Sequence, residues 1–87
     1  MTRISFSEEG WADYLYWQLY DKKKIEKINS LLQSVDREGP MKGIGKPEKL
    51  LHRRGYSRRI DDTNRLIYFV DENQIAVESC KGHYEDK

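Results

Sequence analysis

An apolar stripe at helical spacing is the feature that most limits how this chain can fold. The stripe consists of Ile25, Ile28, Leu32 and Val35, with Leu31 on its flank. Residues spaced by three or four positions share one face of a helix, and Asp21 precedes them as a candidate N-cap. A face this apolar is better suited to a protein core than to a partner-binding surface, so the remaining elements must cover it.

A strand and a first helix are predicted before this stripe. Ile4 and Phe6 alternate with polar residues and predict a short strand. Ser7 is a candidate N-cap, and Phe6 and Trp11 have the spacing of a hydrophobic staple. The predicted apolar face of the first helix comprises Trp11, Tyr14, Leu15, Gln18 and Leu19. Two consecutive amphipathic helices predict an antiparallel helical hairpin.

The second half of the chain has a different pattern. Glycine and proline interrupt regular structure over residues 39–47, and three strand-like runs follow: YSRRI, RLIYFV and QIAVESC. The short segments DDTN and DEN predict the turns between them. Residues 1–87 are therefore predicted to form one α+β domain, an antiparallel sheet with an N-terminal helical hairpin packed on one face.

Strand parity predicts that the other face of the sheet is partly open. Arg58 and Arg59 are adjacent in a strand, so their side chains must lie on opposite faces. We expect one of them, together with Arg65, on the open face. Glu78 interrupts an apolar strand and must either face solvent or find a partner.

Positive charge is concentrated in one segment. Residues 42–59 carry seven lysines and arginines against one acid, Glu48, which gives a net charge of +6 in a chain whose total is +1. Such a segment suits a localised polyanion site, but a solvated basic loop has the same composition. Charge alone leaves both interpretations open.

Several classes of protein are excluded on simpler grounds. No apolar run approaches the roughly 20 residues of a membrane span, and the N-terminus lacks the apolar core of a secretory signal. The lone Cys80 cannot form an internal disulfide, so a cytoplasmic protein is predicted. Cys80 and His83 have the spacing of two metal ligands, but His52 is the only other histidine, and the sequence predicts neither a metal nor a cofactor.

Four side chains have the chemistry that cleavage of an RNA phosphodiester requires. Glu48 can act as a base and His83 as an acid that titrates near neutrality. Arg59 and Arg65 offer guanidinium groups suited to phosphate. In RNA the 2′-hydroxyl can serve as the nucleophile, so no metal is needed. Spacing alone also allows each residue to be an ordinary surface side chain, because such residues meet only in the fold.

The order of four segments gives a resemblance to a known family. The segments WADYLYWQLYDKKKIEKIN, GIGKPE, YSRRIDDTNRLIY and HY, between residues 4 and 84, resemble the Txe/YoeB toxins of the RelE superfamily. The resemblance implies a RelE-like fold and a toxin of a bacterial toxin–antitoxin pair that cuts mRNA in the ribosomal A site without a metal. It also implies a YefM-like antitoxin as partner, operator DNA bound only through the antitoxin complex, and a homodimer.

The resemblance assigns roles to individual residues. It implies that Glu48 is the general base, Arg65 the phosphate-stabilising group and His83 the general acid, with Arg59 and Tyr84 in supporting positions. The basic segment adds three further candidates for substrate binding: Lys46, Lys49 and Arg58. The chain departs from the family in a shorter segment between Glu48 and the SRRI motif and in three residues after Tyr84.

Two alternative functions come from different classes. One is a non-catalytic relative that inhibits its target by binding, as the gyrase-directed branch of the superfamily does, although a binder needs no acid–base pair. The other is a DNA-binding repressor component, which the basic segment permits but for which no recognition helix is evident.

Overall fold

The computed structural model describes residues 2–82, which contain two helices and five strands. The elements are β1 (Arg3–Phe6), α1 (Glu8–Tyr20), α2 (Lys22–Glu38), β2 (Glu48–Lys49), β3 (Tyr56–Arg59), β4 (Arg65–Asp71) and β5 (Gln74–Ser79). The two-residue β2 was not predicted, because two exposed charged residues carry no strand pattern. Neither of the described helices is long and apolar enough to cross a membrane.

The strands form one sheet in the order β1-β5-β4-β3-β2. Strands β2 to β5 make an antiparallel meander, whereas β1 runs parallel to β5, with Ile4 opposite Ile75. The α+β class is confirmed, and the sheet is mixed rather than wholly antiparallel. The helical hairpin carries the chain across one face of the sheet, so β1 joins a strand about 70 residues away in the sequence, a pairing that has no local signal.

The predicted start of α1 is confirmed. The Ser7 hydroxyl accepts a hydrogen bond from the Gly10 N–H at 3.0 Å, and the Phe6 and Trp11 rings pack edge to face with centroids 5.6 Å apart. Asp21 caps α2 by accepting from the Lys23 N–H at 3.1 Å. Because the cap of α2 directly follows the last residue of α1, the two helices form the predicted hairpin.

The predicted apolar face of α1 is wrong for most of its residues, although Tyr14 packs against the core. Leu15 and Leu19 are exposed, Leu19 at 73% of its surface, while the buried residues of α1 are Gly10 and Trp17. Gly10 allows α1 to lie directly on β5, since a Cβ there would be 2.6 Å from the carbonyl oxygen of Val77. Trp17 is fixed by a 2.8 Å hydrogen bond from its Nε1 to the Cys80 carbonyl. Close approach of the backbone therefore decides which face of α1 is buried.

The stripe of α2 forms the core as predicted. Ile28, Leu31, Leu32 and Val35 are buried. They belong to one cluster with side chains from the sheet, including Leu66, Tyr68, Ile75 and Val77. The hairpin thus covers one face of the sheet, and neither described helix lies on the other.

Candidate active site

Strand register brings three candidate residues, Glu48, Arg59 and Arg65, onto the face away from the helices. Glu48 lies opposite Ser57, Ser57 opposite Ile67, and Arg59 opposite Arg65. Directly opposed residues of antiparallel strands project to the same side of a sheet. These five residues define the open face, and the prediction that it holds Arg65 and one arginine of the adjacent pair is confirmed.

Glu48 and Arg65 meet on the open face. Nη2 of Arg65 lies 3.5 Å from Oε2 of Glu48 and donates a 3.0 Å hydrogen bond to the Ser57 hydroxyl. The Arg65 side chain is 18% exposed and that of Glu48 is 67% exposed. Ser57 therefore holds the arginine in place, whereas the carboxylate stands largely in solvent. An ion pair this exposed adds little stability, and Glu48 stays accessible to a ligand.

Arg58 was expected to bind substrate, and that expectation is wrong. Its side chain is completely buried on the helix side of the sheet. It donates hydrogen bonds to the Tyr68 hydroxyl, the Ser34 hydroxyl and the backbone carbonyls of Gly39, Lys42 and Ile44, at 2.6–2.9 Å. The guanidinium thus ties β3 to the end of α2 and to the loop before Glu48. A buried cation is tolerated here because carbonyl oxygens, including one at a helix C-terminus, surround it.

The loop before Glu48 is held close to the sheet. The Arg59 N–H donates to the Gly45 carbonyl at 2.7 Å, and a Cβ on Gly45 would lie 2.5 Å from Leu31. Lys46 then adopts a left-handed backbone with φ of 49° directly before Pro47. Non-glycine residues rarely adopt this conformation, and less so before proline. The fold therefore accepts local strain two residues before Glu48.

The remaining basic candidates differ in which side of the sheet their side chains occupy. Lys46 and Lys49 are both exposed. Lys49 is opposite Tyr56 in the register, with its Nζ 5.8 Å from the centre of the Tyr56 ring. Lys49 therefore projects to the side of the sheet opposite Glu48, and Arg59 is the exposed arginine that shares a face with Arg65.

Glu78 has a partner that sequence reasoning missed. The register of β4 and β5 shifts at Glu78, which forms an ion pair with Arg53. The Arg53 guanidinium also lies 5.6 Å from the centre of the Phe69 ring. An acid within an apolar strand was the available signal, but its partner sits 25 residues earlier in a loop. The pair attaches this loop to β5.

The turn between β3 and β4 is more elaborate than the motif DDTN suggested. The Asp61 carboxylate accepts hydrogen bonds from the backbone N–H groups of Thr63 and Asn64 and pairs with Lys24 at 2.7 Å. Partial burial acts to raise the pKa of Asp61, but hydrogen bonds from Lys24, Asn64 and the backbone outweigh it and hold the pKa well below its ordinary value. Asp61 is therefore an ionised structural group.

Cys80, a possible metal site and the C-terminal candidates remain to be placed. Cys80 is buried, and this burial, assisted by the charge of Asp13, raises the pKa of its thiol to about 12, so Cys80 is a poor nucleophile. Between residues 2 and 82, no three histidine, cysteine or acidic side chains cluster in a way that would hold a metal. His83 and Tyr84 lie outside the described residues.

Comparison with known proteins agrees with this architecture. Residues 6–84 match the family model described as YoeB-like toxin of bacterial type II toxin-antitoxin system. The chain is 43% identical to Toxin YoeB of Escherichia coli strain K12 over 84 residues, which cover 94% of this chain and 99% of the relative. Over 95% of this chain and 98% of the other, it superposes on a chain of the YoeB dimer from Staphylococcus aureus with a TM-score of 0.91 and 53% identity.

A second solved structure is a complex. The heterotetrameric YoeB-YefM toxin-antitoxin complex from Staphylococcus aureus contains a chain that matches with 51% identity and a TM-score of 0.90, covering 97% of this chain and 99% of that one. These likenesses define the class of the protein as a toxin of a bacterial type II toxin–antitoxin system. Within that class, the chain belongs to the YoeB-like toxin family.

Proposed function

We propose that this protein is a ribosome-dependent endoribonuclease that cuts mRNA in the ribosomal A site without a catalytic metal. The observation that carries the proposal is the Glu48–Arg65 pair on the open face, 3.5 Å apart and accessible to a ligand. Membership of the toxin family supports it.

The proposed reaction is an internal transesterification. Glu48 takes the proton of a 2′-hydroxyl, whose oxygen forms a bond to the neighbouring phosphorus. Arg65 stabilises the negative charge that builds up on the phosphoryl oxygens. His83 gives a proton to the 5′ oxygen as the bond between that oxygen and phosphorus breaks. The products are a 2′,3′-cyclic phosphate end and a 5′-hydroxyl end.

The geometry around Arg65 suits this role. Because Ser57 accepts a hydrogen bond from Arg65, the guanidinium keeps its place when Glu48 releases it. A substrate phosphate can then replace the carboxylate as the partner of the arginine. This exchange frees Glu48 to act as a base at the moment when substrate is bound.

The basic residues around the pair are proposed to bind the RNA backbone. Arg59 lies beside Arg65 on the open face, and Lys46 is exposed two residues before Glu48. Lys49 is exposed on the other side of β2, where it is proposed to contact RNA that extends past the edge of the sheet. Lysine and arginine gain affinity for nucleic acid by releasing counterions from phosphates. Tyr84 is proposed to support the site from the position after His83.

The proposed partners follow from the relatives. The Staphylococcus aureus protein is found as a YoeB dimer and in a heterotetramer with YefM. We propose a YefM-like antitoxin and a homodimer for this chain as well, with operator DNA bound only through the antitoxin complex and a cytoplasmic location.

The test is the chemistry of the cut ends. Purified protein is added to ribosomes that carry a defined codon in the A site, and both new RNA ends are analysed. We expect one cut in the A-site codon, a 2′,3′-cyclic phosphate and a 5′-hydroxyl. Arg65→Ala should lose the cut, and Arg37→Ala, at the exposed end of α2, should retain it. Uncut mRNA on stalled ribosomes would refute the nuclease proposal in favour of inhibition by binding.

A further inference from the structure

The turn between β3 and β4 contains a second feature, centred on Asn64. The side-chain NH2 group of Asn64 donates to both carboxylate oxygens of Asp61, at 3.1 and 3.0 Å. The Asn64 oxygen accepts a 2.7 Å hydrogen bond from the N–H of Gly82. One side chain thus joins the turn to the last residue that the structure describes.

The neighbouring charges fix the orientation of the Asn64 amide. An ionised carboxylate only accepts hydrogen bonds, so the NH2 side of the amide must face Asp61. The carbonyl side is then directed at Gly82. Asp61 is itself fixed by Lys24 from α2, at 2.7 Å. A continuous chain of contacts therefore runs from α2 through the turn to Gly82.

Gly82 is held at both of its backbone polar groups. Asn64 accepts from its N–H, and its carbonyl accepts a 3.1 Å hydrogen bond from the N–H of Arg65. Gly82 has a φ of +90°, with nothing within 4 Å of the position of a Cβ, so the backbone conformation and not crowding calls for glycine. The backbone of Gly82 is thus bound to Arg65, the first residue of β4.

The residue bonded to Gly82 is His83. Consecutive Cα atoms are about 3.8 Å apart across a trans peptide, so holding Gly82 limits where the next residue can lie. We infer that Asn64 is a positioning residue for the segment that begins at Gly82 and carries His83, because it holds Gly82 beside Arg65. The inference rests on the proposed function, since it gives that segment a catalytic purpose.

The same turn offers a matched control. The Thr63 hydroxyl donates to Asp61 at 3.2 Å and accepts from Asn64 at 3.2 Å. Thr63→Ala therefore disturbs the turn but retains the hydrogen bond between Asn64 and Gly82. Asn64→Ala removes that bond, together with the Asn64 hydrogen bonds to Asp61 and Thr63. Because Thr63→Ala also loses contacts to Asp61 and Asn64, it measures how far a loosened turn slows cleavage when Gly82 is still held.

The kinetic test is single-turnover cleavage on programmed ribosomes across a range of protein concentrations. Misplacing a catalytic group by about 1 Å can cost about 10²-fold in rate. We expect Asn64→Ala to slow the saturated rate by about 10- to 100-fold, with the half-saturating concentration changed by less than about threefold. Thr63→Ala should stay within about threefold of the parent protein. A normal saturated rate for Asn64→Ala would overturn the inference.

A double variant tests whether Asn64 acts through His83. Residues that work as one unit have strongly non-additive effects. Asn64→Ala combined with His83→Gln should therefore be no slower than His83→Gln alone. If Asn64→Ala slows the His83→Gln protein by the same factor as the parent, Asn64 acts elsewhere and the inference is wrong.

Amide hydrogen exchange measures the hold on Gly82 without ribosomes. We expect the Gly82 amide to exchange at least about tenfold faster in Asn64→Ala, and the core amide of Tyr68 to be unchanged. Unchanged exchange at Gly82 would overturn the inference even in an active nuclease. A parent protein that fails to cut mRNA, with normal protection of Gly82, would overturn the proposed function and with it the catalytic purpose of the contact.

Discussion

Replacing Arg58 with methionine is expected to destabilise the fold severely, although Arg58 belongs to the basic segment. Its guanidinium makes five hydrogen bonds, three of them to backbone carbonyls. Methionine fills much of the volume but donates nothing. The contacts to these carbonyls are partly buried, and a carbonyl left without a partner on burial costs about 1–3 kcal/mol.

The expected loss in the free energy of unfolding is about 4–6 kcal/mol. This corresponds to three carbonyls at about 1.3–2 kcal/mol each, the lower half of that range because the contacts are only partly buried, without counting the hydroxyls of Ser34 and Tyr68. Domains of this size have only about 5–15 kcal/mol in total, so Arg58→Met will be close to unfolding. Arg58→Lys should lose about 2–3 kcal/mol, because one ammonium cannot reach all of these oxygens.

Arg59→Met is the matched control, one residue along the same strand. Arg59 is exposed on the open face, and surface substitutions usually stay within about 0.5 kcal/mol. The assay is urea unfolding followed by far-UV circular dichroism and by the fluorescence of the buried Trp17. An Arg58→Met protein within about 1 kcal/mol of the parent would refute the structural role of Arg58.

Three further predictions concern packing, pH and salt. Gly10→Ala should lower the free energy of unfolding by about 1–3 kcal/mol, although alanine has the better helix propensity, because the new Cβ would lie 2.6 Å from the Val77 carbonyl oxygen. A thermal melt measures the change, and a stabilised protein would contradict the prediction. Because the pKa of Asp61 is lowered in the folded protein, its contribution to stability is present above the ordinary carboxyl pKa of about 4 and is lost as pH falls toward the folded-state value. The loss of stability caused by Asp61→Ala, measured by urea unfolding, should therefore shrink between about pH 6 and about pH 2. A difference that stays constant would show that ionised Asp61 is not the stabilising form. Affinity for ribosomes should fall steeply with salt, by roughly 0.7–0.9 in the log–log slope for each phosphate contact. A flat dependence would exclude the exposed basic residues of 42–59 from RNA binding.

Local features of the fold could be predicted from the sequence, and contacts between distant segments could not. The Ser7 and Asp21 caps and the buried stripe of α2 depend on residues within a few positions of one another. The parallel partner of β1 and the buried face of α1 depend on β5, at the far end of the chain.

The candidate site shows the same division. Parity alone placed Arg58 and Arg59 on opposite faces, but which one is buried depends on oxygen atoms supplied by Ser34 and by the loop at 39–44. Glu48 and Arg65 were proposed from chemistry and resemblance, and their proximity depends on the two-residue strand β2. The contact between Asn64 and Gly82 spans 18 residues and has no sequence pattern.

The most direct test of acid–base cleavage on the open face is the saturated single-turnover rate of Glu48→Gln on programmed ribosomes, measured beside His83→Gln. Glutamine keeps the size of Glu48 and an oxygen for Arg65 but cannot accept the 2′-hydroxyl proton. We predict that each variant is slower by about 10²–10⁴-fold, with ribosome affinity retained, and that Glu72→Gln, in the exposed turn between β4 and β5, cuts normally. A Glu48→Gln protein that cuts mRNA at nearly the parent rate would contradict the assignment of Glu48 as the base.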